Sequence, residues 1–391
     1  MAGLPIGLMY LFVFTVFSKE VGHTGLFGID YDFIGYNFCI FYLLFHINSL
    51  YVSRNINLFL SYLFVSSILS KLYLGLELPP LFKQFIPTAV IFLVTYDFFV
   101  RSRNYALLFK IYITISYYTA LFGLLQLGVK FFFGINLLTN YYALFIDSIA
   151  YEPSHYAALI LPACVYSIFN YKKDKLRATV ILLAMFGTFS VTSYVVMAVA
   201  IALIFLNPVY LLIVVPLLYY LYFYVFLSFD KFAYRQSGFD IYFEHRNLMK
   251  VKSGTTLSFL SNAEVARYTI TKSPLLGSGL GGHEEMYYKF YSTQAFRMHY
   301  LFGLNAPSAH SLIIRVFSEL GLAGGIFYLW FLMRNLILRG ERNHRMISIA
   351  CLTHFLCKFL KLGGYFDYGT PFFAMMYIFN FHDYVKTKRR V

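Results

Sequence analysis

The chain has 391 residues, of which 59% are hydrophobic and 13% are charged, and its mean hydropathy is +0.64. Soluble domains carry about 25% charged residues, so this composition excludes a soluble globular domain and indicates an integral membrane protein. The net charge of +14 lies mostly in short loops and in the C-terminal tail. Short loops on the cytoplasmic side of a membrane protein carry an excess of Lys and Arg. We therefore attribute the positive charge to membrane topology and not to nucleic-acid binding.

Apolar runs of about 20 residues, the length that crosses a bilayer as an α-helix, recur along the chain. The first five are predicted at 4–17, 33–52, 58–76, 82–100 and 105–133. Basic residues flank alternate loops, which places the N-terminus in the cytoplasm and the loop after the fifth span outside. A sixth span at 155–171 returns to a basic cytoplasmic sequence, Lys172-Lys-Asp-Lys-Leu-Arg177.

The next stretch, 178–227, is ambiguous. Residues 178–205 form either one long helix or two short ones divided near Thr192-Ser-Tyr194. A further span at 209–227 follows the Asn207-Pro208 turn. The chain must pass from the cytoplasmic Arg177 to an external loop at 228–309, which requires an odd number of crossings. We therefore favour three short crossings.

The last three spans are predicted at 311–333, 346–362 and 366–381. The expected fold is therefore all-α, a polytopic membrane helical bundle of about twelve transmembrane helices with both termini in the cytoplasm. It divides into N-terminal transmembrane helices (1–227), a large external loop that contains short helices (228–309) and C-terminal transmembrane helices (310–391).

The external loop is rich in basic residues, with nine Lys or Arg against six Asp or Glu. A polyanionic ligand explains that excess, and anionic lipid headgroups are the alternative. The capping-box pattern Ser261-Asn-Ala-Glu264 predicts the start of a helix that carries Arg267 and ends before Pro274. The sequence Gly277-Ser-Gly-Leu-Gly-Gly282 follows no strand, so we interpret it as a tight turn, with a backbone N–H nest for an anion as the alternative.

Candidate functional residues stand where this loop meets the next span. His310 lies at the threshold, and Arg315 and Glu319 follow on one helical face inside an apolar run. Ionised residues in hydrocarbon face a water-filled cavity or another helix. The two interpretations, a functional pair or a pair that locks helices together, carry equal weight.

A second candidate group opens the sixth span, where Glu152-Pro-Ser-His155 contains half of a di-iron carboxylate motif. The chain has no second copy, so no metal site is expected. Glu152 and His155 either bind sugar hydroxyls and act as a general base or cap the helix.

A third group lies in the penultimate span, where His354, Lys358 and Lys361 share one face near its external end. Snorkelling to the interface explains Lys361. His354 and Lys358, with Arg315 and Arg267, form a predicted cationic recess that is suited to phosphate.

Two of these motifs coincide with a known pattern. Glu152-Pro-Ser-His-Tyr-Ala157 opens a span after an external loop, and Gly277-x-Gly-x-Gly with Ala309-His-Ser…Glu319-Leu-Gly-Leu-x-Gly324 closes the long one. Their order and the loop between them resemble the O-antigen polymerase and O-antigen ligase superfamily of bacterial glycosyltransferases (the Wzy and WaaL type).

That resemblance implies transfer of a glycan from undecaprenyl pyrophosphate at the periplasmic face of the inner membrane, with no metal, cofactor or nucleotide sugar. A polymerase passes the glycan to the next lipid-linked repeat unit, whereas a ligase passes it to lipid A-core. The ligases often have Ser-Arg where this chain has Ser193-Tyr194, which favours a polymerase, as does the Glu-Pro-Ser motif. A chain-length regulator is then a candidate partner. The alternative from another class is a flippase for the same lipid-linked oligosaccharide, although the chain has no paired halves.

The resemblance also assigns roles. The family's loop arginine matches Arg267, and its histidine before the following span matches His310. The expected catalytic residues are His310, Glu152 and Arg267. The expected pyrophosphate-binding residues are Arg267, Arg315, Lys358 and Tyr194. The expected acceptor- or glycan-binding residues are His155, Arg246 and His299.

Overall fold

The computed structural model describes residues 4–20, 33–137, 145–150, 152–205 and 230–389, together with positions 216, 217, 220 and 227. Within these residues the chain forms fourteen α-helices and no strand, which confirms the all-α class. Four of the helices are long and apolar enough to cross a bilayer: Arg54–Leu74, Pro79–Ser102, Tyr105–Phe133 and Leu312–Asn335. Membrane embedding is therefore supported, and the count of about twelve spans stays a prediction.

Eight helices precede the long loop: α1 (Ile6–Phe14), α2 (Phe33–His46), α3 (Arg54–Leu74), α4 (Pro79–Ser102), α5 (Tyr105–Phe133), α6 (Pro153–Phe169), α7 (Lys175–Gly187) and α8 (Val191–Phe205). Side-chain caps fix several of the starts. Ser53 accepts a hydrogen bond from the backbone N–H of Ile56 at the start of α3. Asn104 accepts one from Leu107 at the start of α5, which ends at Gly134 in the left-handed conformation.

Six further helices follow: α9 (Asp230–His245), α10 (Gly254–Lys272), α11 (His283–Tyr291), α12 (Leu312–Asn335), α13 (Arg342–Leu360) and α14 (Thr370–Lys388). Helices α6 and α13 form the buried centre, since most of their side chains are inaccessible. Helix α3 instead presents an exposed apolar face, as expected of a helix surface that contacts lipid: Leu58, Tyr62, Val65, Leu69, Leu72 and Tyr73.

The ambiguous stretch is two helices and not one, because α7 and α8 are separated at residues 188–190. The break precedes the predicted position at 192–194. The Thr188 hydroxyl donates to the carbonyl of Met185, and the hydroxyls of Ser190 and Ser193 bond to each other across the turn. The predicted span at 209–227 lies outside the described residues, apart from four single positions.

The predicted start of the loop helix at Ser261 is wrong. Helix α10 begins at Gly254, and Ser261 and Glu264 lie inside it. The Glu264 carboxylate has other partners, because it accepts hydrogen bonds from the hydroxyls of Tyr242 and Tyr291. The predicted end is confirmed, since the helix stops at Lys272 before Pro274.

Polar side-chain contacts join separate elements at two ends of the bundle. At the end that includes residues 230–311, here called the loop end, Lys71 pairs with Glu285 at 3.2 Å and Lys19 pairs with Asp367 at 2.6 Å. At the opposite end, here called the tail end, the Tyr105 hydroxyl donates to Asp383 of α14 at 3.0 Å.

Helix α12 is interrupted at Gly321, whose backbone is non-helical (φ 62°, ψ −160°). Backbone groups of the glycine-rich loop form the hydrogen bonds that the interrupted helix lacks. The N–H groups of Ser278 and Gly279 donate to the carbonyls of Ser318 and Glu319, both at 2.8 Å. Beyond the break, the N–H of Leu322 donates to Pro274 at 2.9 Å. Backbone groups at membrane depth need such internal partners, so the loop completes the helix.

This packing requires glycine at the contact. Gly277 has φ +65°, and a Cβ there would lie 2.6 Å from the carbonyl oxygen of Ser318. The N–H groups of Ser278 and Gly279 are already bonded, so they do not form a free nest for an anion. The interpretation as a tight turn is the one that this geometry favours.

Candidate functional site

Five polar residues from four separate segments meet at the loop end: Glu152, His155, Arg235, His310 and Lys361. We call them the His310 cluster. Glu152 lies at its centre, with Oε2 3.5 Å from Lys361 Nζ and 3.7 Å from His155 Nε2. Arg235 and Lys361 act electrostatically on His310, and Glu152 opposes them.

Glu152 is positioned by the segment that precedes α6. The N–H of Ile146 donates to the carbonyl of Gly187 at 2.8 Å, and the Ser148 hydroxyl donates to Thr119 at 2.7 Å. These bonds attach the 145–150 segment to α5 and to the end of α7. Glu152 then becomes the residue before the first turn of α6, where a carboxylate is stabilised by the helix dipole. Its Oε2 also accepts a hydrogen bond from the Ser154 hydroxyl at 3.1 Å.

His310 is held in an unusual backbone conformation. Both Ala309 (φ 55°) and His310 (φ 62°) are left-handed, which is costly for residues other than glycine and recurs at functional sites. His310 Nδ1 lies 3.0 Å from the Ser258 hydroxyl, which also accepts from Asn305 Nδ2 at 2.9 Å. Ser258 can donate its own proton to the carbonyl of Leu304 at 3.2 Å. In that arrangement Nδ1 of His310 carries the hydrogen and Nε2 keeps its lone pair.

The His310 ring is neutral near pH 7. Burial lowers the pKa of His310 to about 4, with Lys361 and Arg235 contributing and Glu152 opposing. The residue is 8% exposed, and among the described residues Nε2 has no hydrogen-bond partner. A neutral imidazole with a free nitrogen can accept a proton from a hydroxyl.

The charges beside His310 favour an anion. Lys361 and Arg235 supply two cations against the single carboxylate of Glu152. Lys361 also donates to the Ser154 hydroxyl, and the Thr256 hydroxyl holds α9 by donating to the carbonyl of Arg235 at 2.9 Å. Partly buried positive charge of this kind attracts a phosphate or diphosphate group.

Arg315 lies inside α12 with each of its nitrogens bonded to protein. Nε contacts Glu319 at 3.2 Å, Nη1 donates to the carbonyl of Gly363 at 3.2 Å, and Nη2 donates to Gln84 Oε1 at 3.0 Å. The guanidinium also stacks over the Tyr365 ring. This geometry matches the interpretation in which Arg315 and Glu319 lock helices together, because the buried guanidinium bonds to Gln84 of α4 and to Gly363 as well as to Glu319.

Lys358 is likewise bonded within the protein. Its ammonium donates to the carbonyls of Gly364 and Asp367 and to the Thr370 hydroxyl. Arg315 and Lys358 together therefore fix the 362–367 segment. That segment packs against the one that carries His310, since a Cβ on Gly363 would lie 1.6 Å from the carbonyl oxygen of Ser308. Both cations thus help to position the His310 cluster, because they hold the segment that packs against it.

The contacts of the remaining predicted residues are with residues outside the cluster. Arg267 is exposed, and at about 3.6 residues per turn it faces away from Ser258 on α10. The Tyr194 hydroxyl donates to the carbonyl of Phe186 at 2.5 Å. Arg246 stacks on the rings of Tyr242 and Phe243. His299 accepts from the N–H of Leu301 and stacks on Phe296.

A second buried histidine, His283, has no counterpart in the sequence predictions. Its Nδ1 lies 2.7 Å from the Ser318 hydroxyl and its Nε2 lies 2.9 Å from Asn262 Oδ1. Burial lowers the pKa of His283 to about 3, with Arg315 contributing. Both nitrogens are occupied, so His283 joins α10, α11 and α12 and is not available to a substrate.

No protein-family model matches the sequence, and no curated protein is similar to it at a significant level. Among the described residues, no group of three or more His, Cys, Asp or Glu side chains could hold a metal ion. The chemistry of the His310 cluster is therefore argued from its own residues.

Proposed function

We propose that the protein is an O-antigen (surface polysaccharide) polymerase of the inner membrane. It transfers an undecaprenyl-pyrophosphate-linked glycan onto the next lipid-linked repeat unit at the periplasmic face. One observation carries the proposal: a neutral histidine with a free nitrogen lies beside a carboxylate and two cations at one end of an apolar helical bundle. The order of motifs along the chain, which resembles the polymerase and ligase superfamily, supports the same reaction.

The reaction needs few groups, because a glycosyl diphosphate already carries a good leaving group. The acceptor hydroxyl oxygen forms a bond to the anomeric carbon while the bond from that carbon to the phosphate oxygen breaks. The hydroxyl proton passes to Nε2 of His310, and undecaprenyl pyrophosphate leaves. General base catalysis of this type contributes about 10²–10⁴-fold to the rate.

Lys361 and Arg235 stabilise the negative charge that develops on the departing diphosphate. Glu152 orients the acceptor by hydrogen bonding to a sugar hydroxyl, and His155 lies beside it. This assignment moves the phosphate contacts from Arg315 and Lys358, whose donors are used inside the protein, to the two cations of the cluster. Arg267 is exposed on the face of α10 opposite Ser258, so this proposal gives it no contact with the diphosphate.

The test uses the purified protein in detergent with lipid-linked repeat units, and the product ladder is resolved on a gel. His310→Ala is expected to slow polymerisation by about 10²–10⁴-fold, and Lys361→Met is expected to weaken donor binding. Arg297→Ala is the matched control, because Arg297 is an exposed cation of the same loop. Normal ladders from both His310→Ala and Lys361→Met would end the proposal.

The same preparation separates the alternatives. A ligase would modify lipid A-core and would not extend repeat units. A flippase would be inactive in detergent and would require a sealed bilayer. Extension in detergent by the wild type, with loss in His310→Ala, is the result that only the polymerase predicts.

A further inference from the structure

A cavity lies at the tail end of the bundle, away from the His310 cluster. Its volume is about 390 Å³, within the range of roughly 300–1,000 Å³ that is typical of ligand sites. It is lined by Phe169, Ile204, Gly340, Arg342, Arg345 and Met346. Two guanidinium groups and three apolar side chains thus share one concave wall, which we call the Arg345 cavity.

The Arg345 side chain has no partner in the described part of the chain. Its Nε is buried without a hydrogen bond, and its guanidinium forms no ion pair there. A buried donor without a partner calls for an explanation, and an anion bound in the cavity that Arg345 lines provides one. Arg342 is held differently, because its Nη2 donates to the carbonyl of Phe169.

The carboxylates at this end are engaged elsewhere. Glu341 lies 3.5 Å from His344 Nε2, and Asp383 accepts from the Tyr105 hydroxyl at 3.0 Å. The cavity wall carries positive charge only. The exposed segment that follows Phe169 closely in the chain also has a net positive charge, with three lysines against one aspartate: Lys172, Lys173, Lys175 and Asp174.

We propose that the Arg345 cavity binds a phosphate anion. The guanidinium groups of Arg345 and Arg342 suit phosphate oxygens, since Arg presents a planar fork of donors. The first turn of α13 starts at Arg342, so its backbone N–H groups add to the attraction. Phe169, Ile204 and Met346 offer an apolar surface beside the phosphate, which fits the headgroup of an anionic phospholipid. This inference is independent of the polymerase proposal.

The experiment is native mass spectrometry of the full-length protein in detergent, with three probes added separately. They are phosphatidylglycerol, zwitterionic phosphatidylcholine and inorganic phosphate. Phosphatidylglycerol is expected to remain bound, and phosphatidylcholine is not. Binding of inorganic phosphate as strongly as phosphatidylglycerol would assign the cavity to a soluble phosphate source.

Variants tie the binding to the cavity. Arg345→Gln is expected to weaken phosphatidylglycerol binding about tenfold or more, because it removes a charge-assisted contact. Arg345→Lys keeps the charge and is expected to bind with intermediate affinity. Arg339→Gln is the matched control, since Arg339 is an exposed arginine nearby in the chain that does not line the cavity.

Folding of the Arg345 variants is checked from their unfolding midpoints. These should equal that of the wild type in the absence of lipid, because the Arg345 side chain bonds to no described residue. The proposal is overturned if Arg345→Gln binds phosphatidylglycerol and inorganic phosphate as strongly as the wild type does. An equal loss of binding in Arg339→Gln overturns it as well.

Discussion

Replacing Gly277 by alanine should destabilise the protein through one close backbone contact. The added Cβ would lie 2.6 Å from the carbonyl oxygen of Ser318 and 2.7 Å from the backbone nitrogen of Gly321. These are backbone atoms of α12, so they cannot rotate away. Relief of the clash has to move the loop off the interrupted helix.

The magnitude follows from the bonds that such a movement breaks. The N–H groups of Ser278 and Gly279 would leave the carbonyls of Ser318 and Glu319, and each buried group left unpaired costs about 1–3 kcal/mol. The left-handed backbone adds about 1–2 kcal/mol for any residue with a Cβ. We therefore expect Gly277→Ala to lower the free energy of unfolding by about 3–8 kcal/mol in total.

A matched glycine isolates the contact. Gly75 has φ +62°, close to the +65° of Gly277, but a Cβ there would meet nothing within 4 Å. Gly75→Ala thus includes the backbone strain without the clash. The free energy of unfolding of both variants is measured by titration with SDS in mixed micelles. If Gly277→Ala is no less stable than Gly75→Ala, the loop does not complete α12 as described.

Two further predictions concern buried charge. The pKa of His283 is about 3 in the fold and about 6.5 when unfolded, so the unfolded state binds the proton first and stability falls as pH drops below 6.5. Between pH 7 and pH 5 the free energy of unfolding of the wild type should fall by about 2 kcal/mol more than that of His283→Gln. Equal decreases in the two proteins would contradict the lowered pKa of His283. Arg315→Met should cost about 3–5 kcal/mol because it leaves Glu319 unpaired. The double variant Arg315→Met/Glu319→Leu should recover part of that cost in the same titration, and a further loss would argue against a locking pair.

The sequence predicts helices best where their ends carry local signals. The bounds of α5 match the predicted 105–133, since Asn104 caps its start and Gly134 ends it. The interruption of α12 could not be predicted in the same way. It depends on a loop more than thirty residues earlier in the chain donating its backbone N–H groups, and those contacts have no sequence signature.

The residues of the candidate site also differ in whether they carry a local sequence signal. Glu152, His155 and His310 can be picked out from the sequence as candidates because each stands where a polar loop meets an apolar helix. Arg235 is not found, since a basic residue in a basic loop has no distinguishing spacing. Arg315 and Lys358 are found as buried cations, but their carbonyl acceptors at Gly363 and Gly364 are invisible in sequence. Their positioning role therefore needs the fold.

The dependence of α12 on the glycine-rich turn has a consequence for biogenesis. Ribosomes synthesise 274–280 before 318–323, so the segment that supplies the missing donors has already emerged when the interrupted helix enters the membrane. A chain from which that turn is deleted, or one circularly permuted to place it last, would insert a helix with unpaired carbonyls at its middle. Vectorial synthesis thus gives this protein an assembly order that matches its hydrogen bonding.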